Sequence, residues 1–114
     1  MWHCLLLDLE RDAALIETYR RWHRPGAVPA TVTAAIRASG VEAMDIYQRG
    51  DRLVMMMKTR PDFDPAAKAA ADAGDPEIVA WETLMATMQR PLPDAAPGEK
   101  WLQAERIFAL SEQP

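Results

Sequence analysis

Two short runs constrain this chain more than anything else in it: residues 3–9, His-Cys-Leu-Leu-Leu-Asp-Leu, and residues 53–57, Leu-Val-Met-Met-Met. Neither contains Gly or Pro, and both are apolar at odd and even positions alike. Successive side chains of a strand point to opposite faces, so such runs describe strands covered on both sides. Leu5, Leu7 and Leu9 oppose Cys4 and Leu6, while Leu53, Met55 and Met57 oppose Val54 and Met56. Helices of the same chain can cover one face. The other would leave an apolar patch larger than soluble monomers tolerate. The pattern therefore predicts a homodimer packed sheet to sheet about a two-fold axis.

The rest of the chain supplies the helices. Asp12 is placed to cap a helix carrying Leu15, Ile16, Tyr19, Trp22 and His23, which Arg24, Pro25 and Gly26 end. Pro29 suits the first turn of a second helical piece with Val32 and Ile36, and Gly40 stands where a left-handed residue closes it. Residues 41–48 and 53–59 flank the polar connector Arg49-Gly50-Asp51-Arg52, which predicts an antiparallel hairpin. A loop over 60–65 leads to an Ala-rich helix over 66–73, broken by Gly74-Asp75-Pro76. Pro76 opens the next helix, whose Ile78, Trp81, Leu84, Met85 and Met88 form one apolar stripe. Prolines 91, 93 and 97 stiffen the following loop, and residues 101–110 read as the last strand, with Ile107, Phe108 and Leu110 near its end. Strand, helices, strand, strand, helices, strand is the split βαβ order. The expectation is an α+β, ferredoxin-like domain over residues 1–114 with an antiparallel four-stranded sheet.

Composition narrows the function. A chain of 114 residues has room for one core and one site. Thirteen Lys and Arg against 17 Asp and Glu give a net charge of −4, which disfavours nucleic acid and anionic membranes as partners. No apolar run approaches the ~20 residues that span a bilayer, and the N-terminus lacks a signal-peptide pattern. The single cysteine, Cys4, allows no internal disulfide, so a reducing, cytoplasmic setting is expected. His3 and His23 are too few for a His-rich zinc site, and Cys4 lacks a Cys-x-x-Cys partner, so no metal is expected. Arg49-Gly50-Asp51 is ordinary turn content, and the methionines read as packing.

One pair of side chains can carry chemistry. Tyr19 and His23 stand four apart on a helix, so their Cβ atoms lie about 5–6 Å from each other on one face. Leu15, Ile16 and Trp22 flank that face and would hold a phenol and an imidazole in a partly apolar pocket. A histidine there gives or takes a proton near neutral pH. The same spacing also suits a histidine that binds a carbonyl of its own helix beside a core tyrosine.

Tyr-Arg-Arg-Trp-His-Arg-Pro at 19–25, soon after a first strand, resembles the Tyr-x-x-x-His-x-Pro motif of the L-rhamnose mutarotase family. Further landmarks are similar over nearly the whole chain: Ser39-Gly40 before a strand with Ile46-Tyr47, Trp81 opening an apolar helix with Met85 and Met88, a Pro-rich loop, and Glu105-Arg106-Ile107-Phe108-Ala109-Leu110 near the end. The resemblance implies a dimeric α/β barrel that interconverts the α and β anomers of 6-deoxy-L-hexoses without a cofactor. It implies His23 as proton donor or acceptor and Tyr19 as a substrate-binding neighbour. Met44 falls where rhamnose-specific members have a tyrosine, Ala80-Trp81 where they have adjacent tryptophans, and Val28-Pro29-Ala30 where they have Trp-Pro-Glu. Met44 and Trp81 are thus expected substrate contacts in a reshaped pocket, with L-fucose as apt a substrate as L-rhamnose. Asp8, Asp45 and Glu105 are the carboxylates expected to assist. Two rivals share these features: a cofactor-free oxygenase on the same dimeric fold, and a non-catalytic sugar-binding module.

Overall fold

The computed structural model describes all 114 residues. In chain order the elements are β1 (Trp2–Leu9), α1 (Ala13–Trp22), α2 (Ala30–Ala38), β2 (Val41–Arg49), β3 (Arg52–Thr59), α3 (Pro65–Ala73), α4 (Pro76–Ala86), β4 (Gln89–Arg90) and β5 (Leu102–Ala104), followed by a 3-10 turn over Leu110–Glu112. Local signals account for most boundaries. The Asp12 carboxylate accepts hydrogen bonds from the backbone N–H groups of Ala14 and Leu15, at 2.9 and 3.1 Å, and so caps α1. Asp64 caps α3 in the same way, and Asp75 caps α4 through the Glu77 N–H alone, each just ahead of a proline. Gly40 takes a φ of 102° between α2 and β2, where any Cβ would also crowd the Arg60 guanidinium at 3.2 Å.

The sheet is antiparallel, in the order β2-β3-β1-β4, with β5 also on β1. Gly50, at a φ of 59°, and Asp51 make the two-residue turn between β2 and β3. Both central strands are apolar on each face, as their sequences require. Leu7, Leu9 and Leu53 are almost completely buried on the side the helices cover. With Tyr19, Val32, Ile78, Trp81, Met85 and Met88 they form the core. Each such leucine contributes about 1.5–3 kcal/mol through burial. The alternate residues Cys4, Leu6, Val54 and Met56 face away from the helices and are only half-buried, between the exposed Trp2 and Tyr47.

Two expectations need correction. The last sheet position is not one strand over 101–110 but two short segments: β4 pairs with Asp8 and Leu9, and β5 with Cys4, Leu5 and Leu6. Prolines 91, 93 and 97 have no N–H to give a ladder, so the chain leaves the sheet edge there and returns at Leu102. The sheet accordingly has five strands rather than four. Ile107, Phe108 and Leu110 lie beyond β5 and are exposed, Ile107 at 93%.

Candidate active site

Between the helices and the sheet lies a cavity of about 540 Å³. Its floor is the helix-facing row of the sheet, including Leu5 on β1, Met44 and Ile46 on β2, and Met55 and Met57 on β3. Its roof comes from α1, α2 and α4, with Tyr19, His23, Val32, Ile36 and Trp81. The helical spacing brings Tyr19 and His23 together as expected. Their rings stack with centroids 4.2 Å apart and planes 29° from parallel. Trp81 stands 5.7 Å from the imidazole, and Trp22 packs edge-on against Trp81 at 5.9 Å.

The hydrogen bonds set the chemistry of this pair. His23 Nδ1 lies 2.7 Å from the backbone carbonyl oxygen of Tyr19. A carbonyl oxygen only accepts, so Nδ1 carries a hydrogen and neutral His23 keeps its lone pair on Nε2. Satisfying its own helix and serving as an acid or base are therefore not alternatives: one ring nitrogen does the first and leaves the other for the second. Tyr19 is buried, and burial pushes its hydroxyl above the ordinary phenol range; Gln89, donating to it, opposes that push, and the Glu82 charge adds to it. Tyr19 is thus a neutral hydrogen-bonding group at physiological pH.

The expected carboxylates are elsewhere. Asp8 has the parity of Cys4 and Leu6, faces away from the cavity, and is held by Arg52 at 2.8 Å and Arg90 at 3.5 Å. Asp45 is exposed on that same far face, paired with Met56, and Glu105 is exposed beyond β5. The carboxylates that line the cavity are Asp72, ion-paired with Lys68, and Glu82. His3, weighed from the sequence only as a metal ligand, also lines the cavity, as its parity with Leu5, Leu7 and Leu9 requires, and its Nε2 lies 3.1 Å from Thr59 Oγ1. Gln89, Gln103 and Trp101 line the wall as well, and no local pattern marks them. No group of three or more His, Cys, Asp or Glu residues is arranged to hold a metal ion, and no helix is long and apolar enough to cross a membrane.

A family model described as L-rhamnose mutarotase matches residues 2–110. The chain belongs to the L-rhamnose mutarotase family. It is a sugar mutarotase, an isomerase, which decides between that activity and the two rivals. An L-fucose mutarotase of Xanthomonas campestris pv. campestris is 58% identical over 109 residues, covering 96% of this chain and 87% of the relative. A UPF0734 protein of Dictyostelium discoideum is 31% identical over 108 residues, covering 91% of this chain and 85% of its own. The crystal structure of an L-rhamnose mutarotase from Formosa agariphila superposes with a TM-score of 0.68 over 96% of this chain and 98% of that one. At 16% identity, that likeness confirms the α+β mutarotase fold alone.

Proposed function

We propose that this mutarotase acts on L-fucose, with His23 as its acid and base. The observation that carries the proposal is an imidazole tied at Nδ1 and open at Nε2, stacked on a buried phenol and facing a largely apolar cavity. Anomer exchange asks for little more. Nε2 takes up a proton from solvent and passes it to the ring oxygen as the bond between C1 and that oxygen breaks, the anomeric hydroxyl loses its proton to solvent, and C1 becomes an aldehyde carbon. Rotation about C1–C2 and closure with the protons reversed give the other anomer. Tyr19 binds and orients the sugar, and Met44 and Trp81 contact its apolar parts. The preference for L-fucose is supported by the 58% identical relative and by Met44 on the cavity floor, where a rhamnose-specific tyrosine is expected.

The active form in this proposal is a homodimer in the cytoplasm. Half-buried Cys4, Leu6, Val54 and Met56, with exposed Trp2 and Tyr47, give the sheet a second apolar face that a two-fold copy covers, closing the α/β barrel. Exposed Ile107, Phe108 and Leu110 add to the surface such a copy would bury.

A saturation-transfer NMR panel of L-fucose, L-rhamnose and D-sugars tests the substrate. The expected result is fastest anomer exchange with L-fucose and no oxygen uptake. Exchange accelerated for L-rhamnose but not L-fucose would overturn the substrate, and sugar-dependent melting shifts without any rate change would overturn the chemistry.

A further inference from the structure

Gln89 is the residue on the cavity wall whose position the reaction outlined above leaves unexplained. Its backbone is pinned in β4, paired with the fully buried Leu9 and following the buried Met88. Its amide nitrogen lies 3.4 Å from the Tyr19 hydroxyl oxygen and donates to it. Its amide oxygen Oε1 is buried without a hydrogen-bond partner. Buried side-chain acceptors are nearly always paired, so an amide held with its carbonyl empty and its N–H on a phenol calls for a reason.

The reason lies in the geometry of a phenol. Its hydroxyl hydrogen prefers the ring plane and has two places there, one on each side of the C–O bond. A donor that occupies one side sends the hydrogen to the other. We propose that Gln89 is a positioning residue that acts through Tyr19: its N–H holds the phenol oxygen so that the hydroxyl hydrogen points into the cavity and Tyr19 meets the sugar as a donor. The opposite amide orientation would offer Oε1 to that hydrogen and withdraw it from the sugar. A terminal amide turns readily about its last torsion, so which group faces Tyr19 decides what the phenol can do. The sugar ring oxygen is an acceptor only, and a donor Tyr19 is what it needs while His23 supplies the proton. This inference rests on the mutarotase reading.

Gln89→Met keeps the length of the side chain and removes both polar groups, including the orphaned carbonyl. Removing an unsatisfied buried acceptor leaves stability unchanged or raises it. The expected effects on sugar binding run the other way: KM for L-fucose rises about tenfold, the scale of one well-placed hydrogen bond, with kcat changed much less. In a Tyr19→Phe background the same substitution leaves KM within about twofold, because its effect passes through the hydroxyl that is gone. A residue that merely braces the wall would lower the melting temperature and act alike in both backgrounds. An unchanged KM in Gln89→Met, or an equal rise with and without the Tyr19 hydroxyl, overturns the proposal. A wild-type chain that accelerates exchange of no sugar defeats the mutarotase reading and this inference with it, whereas an active wild type with an unmoved KM defeats this inference alone.

Discussion

His23 closes the last turn of its helix onto Tyr19 twice, its Nδ1 2.7 Å from the Tyr19 carbonyl oxygen and its ring stacked 4.2 Å from the phenol. That double hold fixes both the hydrogen on Nδ1 and the direction of Nε2. His23→Ala should slow anomer exchange at least about tenfold, since general acid or base catalysis is worth on the order of 100-fold or more. The fold should survive, because the helix retains its Asp12 cap and its buried Tyr19. Line-broadening or saturation-transfer NMR of an anomeric proton reads the rate directly. Wild-type exchange in that variant would remove His23 from the chemistry.

Asp8 predicts how stability depends on pH. Its carboxyl is held below the ordinary value of 3.8, chiefly by the hydrogen bond from Arg52, against the cost of burial and with help from Arg90. Folding thus binds the charged form more tightly than the proton. The stability it contributes is present above pH 3.8 and is lost as pH falls through the lower folded value. Asp8→Asn should lower the melting temperature at neutral pH and shrink the difference between melting at neutral pH and near pH 3. An unaltered pH profile would show that this ion pair carries no such linkage.

How much of this was legible in the sequence follows from how local each signal is. The cap at Asp12 acts over two or three residues, and the apolar faces of β1 and β3 repeat every second one, so the helices, the hairpin and the split βαβ order of elements could be read directly. The Tyr19–His23 pair followed from a four-residue step on one helix. The broken edge strand did not, because whether Gln89 or Leu102 meets β1 depends on partners about 80–100 residues away. Nor did Gln89 itself, whose contact with Tyr19 spans 70 residues. Asp8 is a different case: its parity with Cys4 and Leu6 was visible, and taken seriously it already placed the carboxylate on the far side of the sheet from His23.

The far face gives a prediction about assembly. Met56 sits in the central strand β3, paired with Cys4 on one side and Asp45 on the other, and is half-buried in a single copy. A charge there costs little in a monomer, where it reaches water, and much in a dimer, where it is buried against a second sheet without a partner. Met56→Glu should therefore yield a folded monomer by light scattering at micromolar concentration while the wild type gives the dimer mass. A wild-type chain of monomer mass would defeat the dimer.

Trp81 separates packing from recognition. It is 8% exposed, belongs to the core, and stands 5.7 Å from His23 on the cavity wall. Truncation to Ala would remove both roles at once and should cost about 3–5 kcal/mol, the range for large aromatic side chains in a core. Trp81→Phe keeps an aromatic face toward the cavity and toward Trp22 while losing part of the ring volume, so the stability loss should be about 1–2 kcal/mol, below that of a full truncation. If Trp81 contacts the sugar, the two substitutions diverge in a second respect: KM for L-fucose rises modestly with Phe and by at least about tenfold with Ala, beyond what a shared loss of stability explains, since both chains remain folded at the assay temperature. Equal KM values in the two folded variants would assign Trp81 to the core alone.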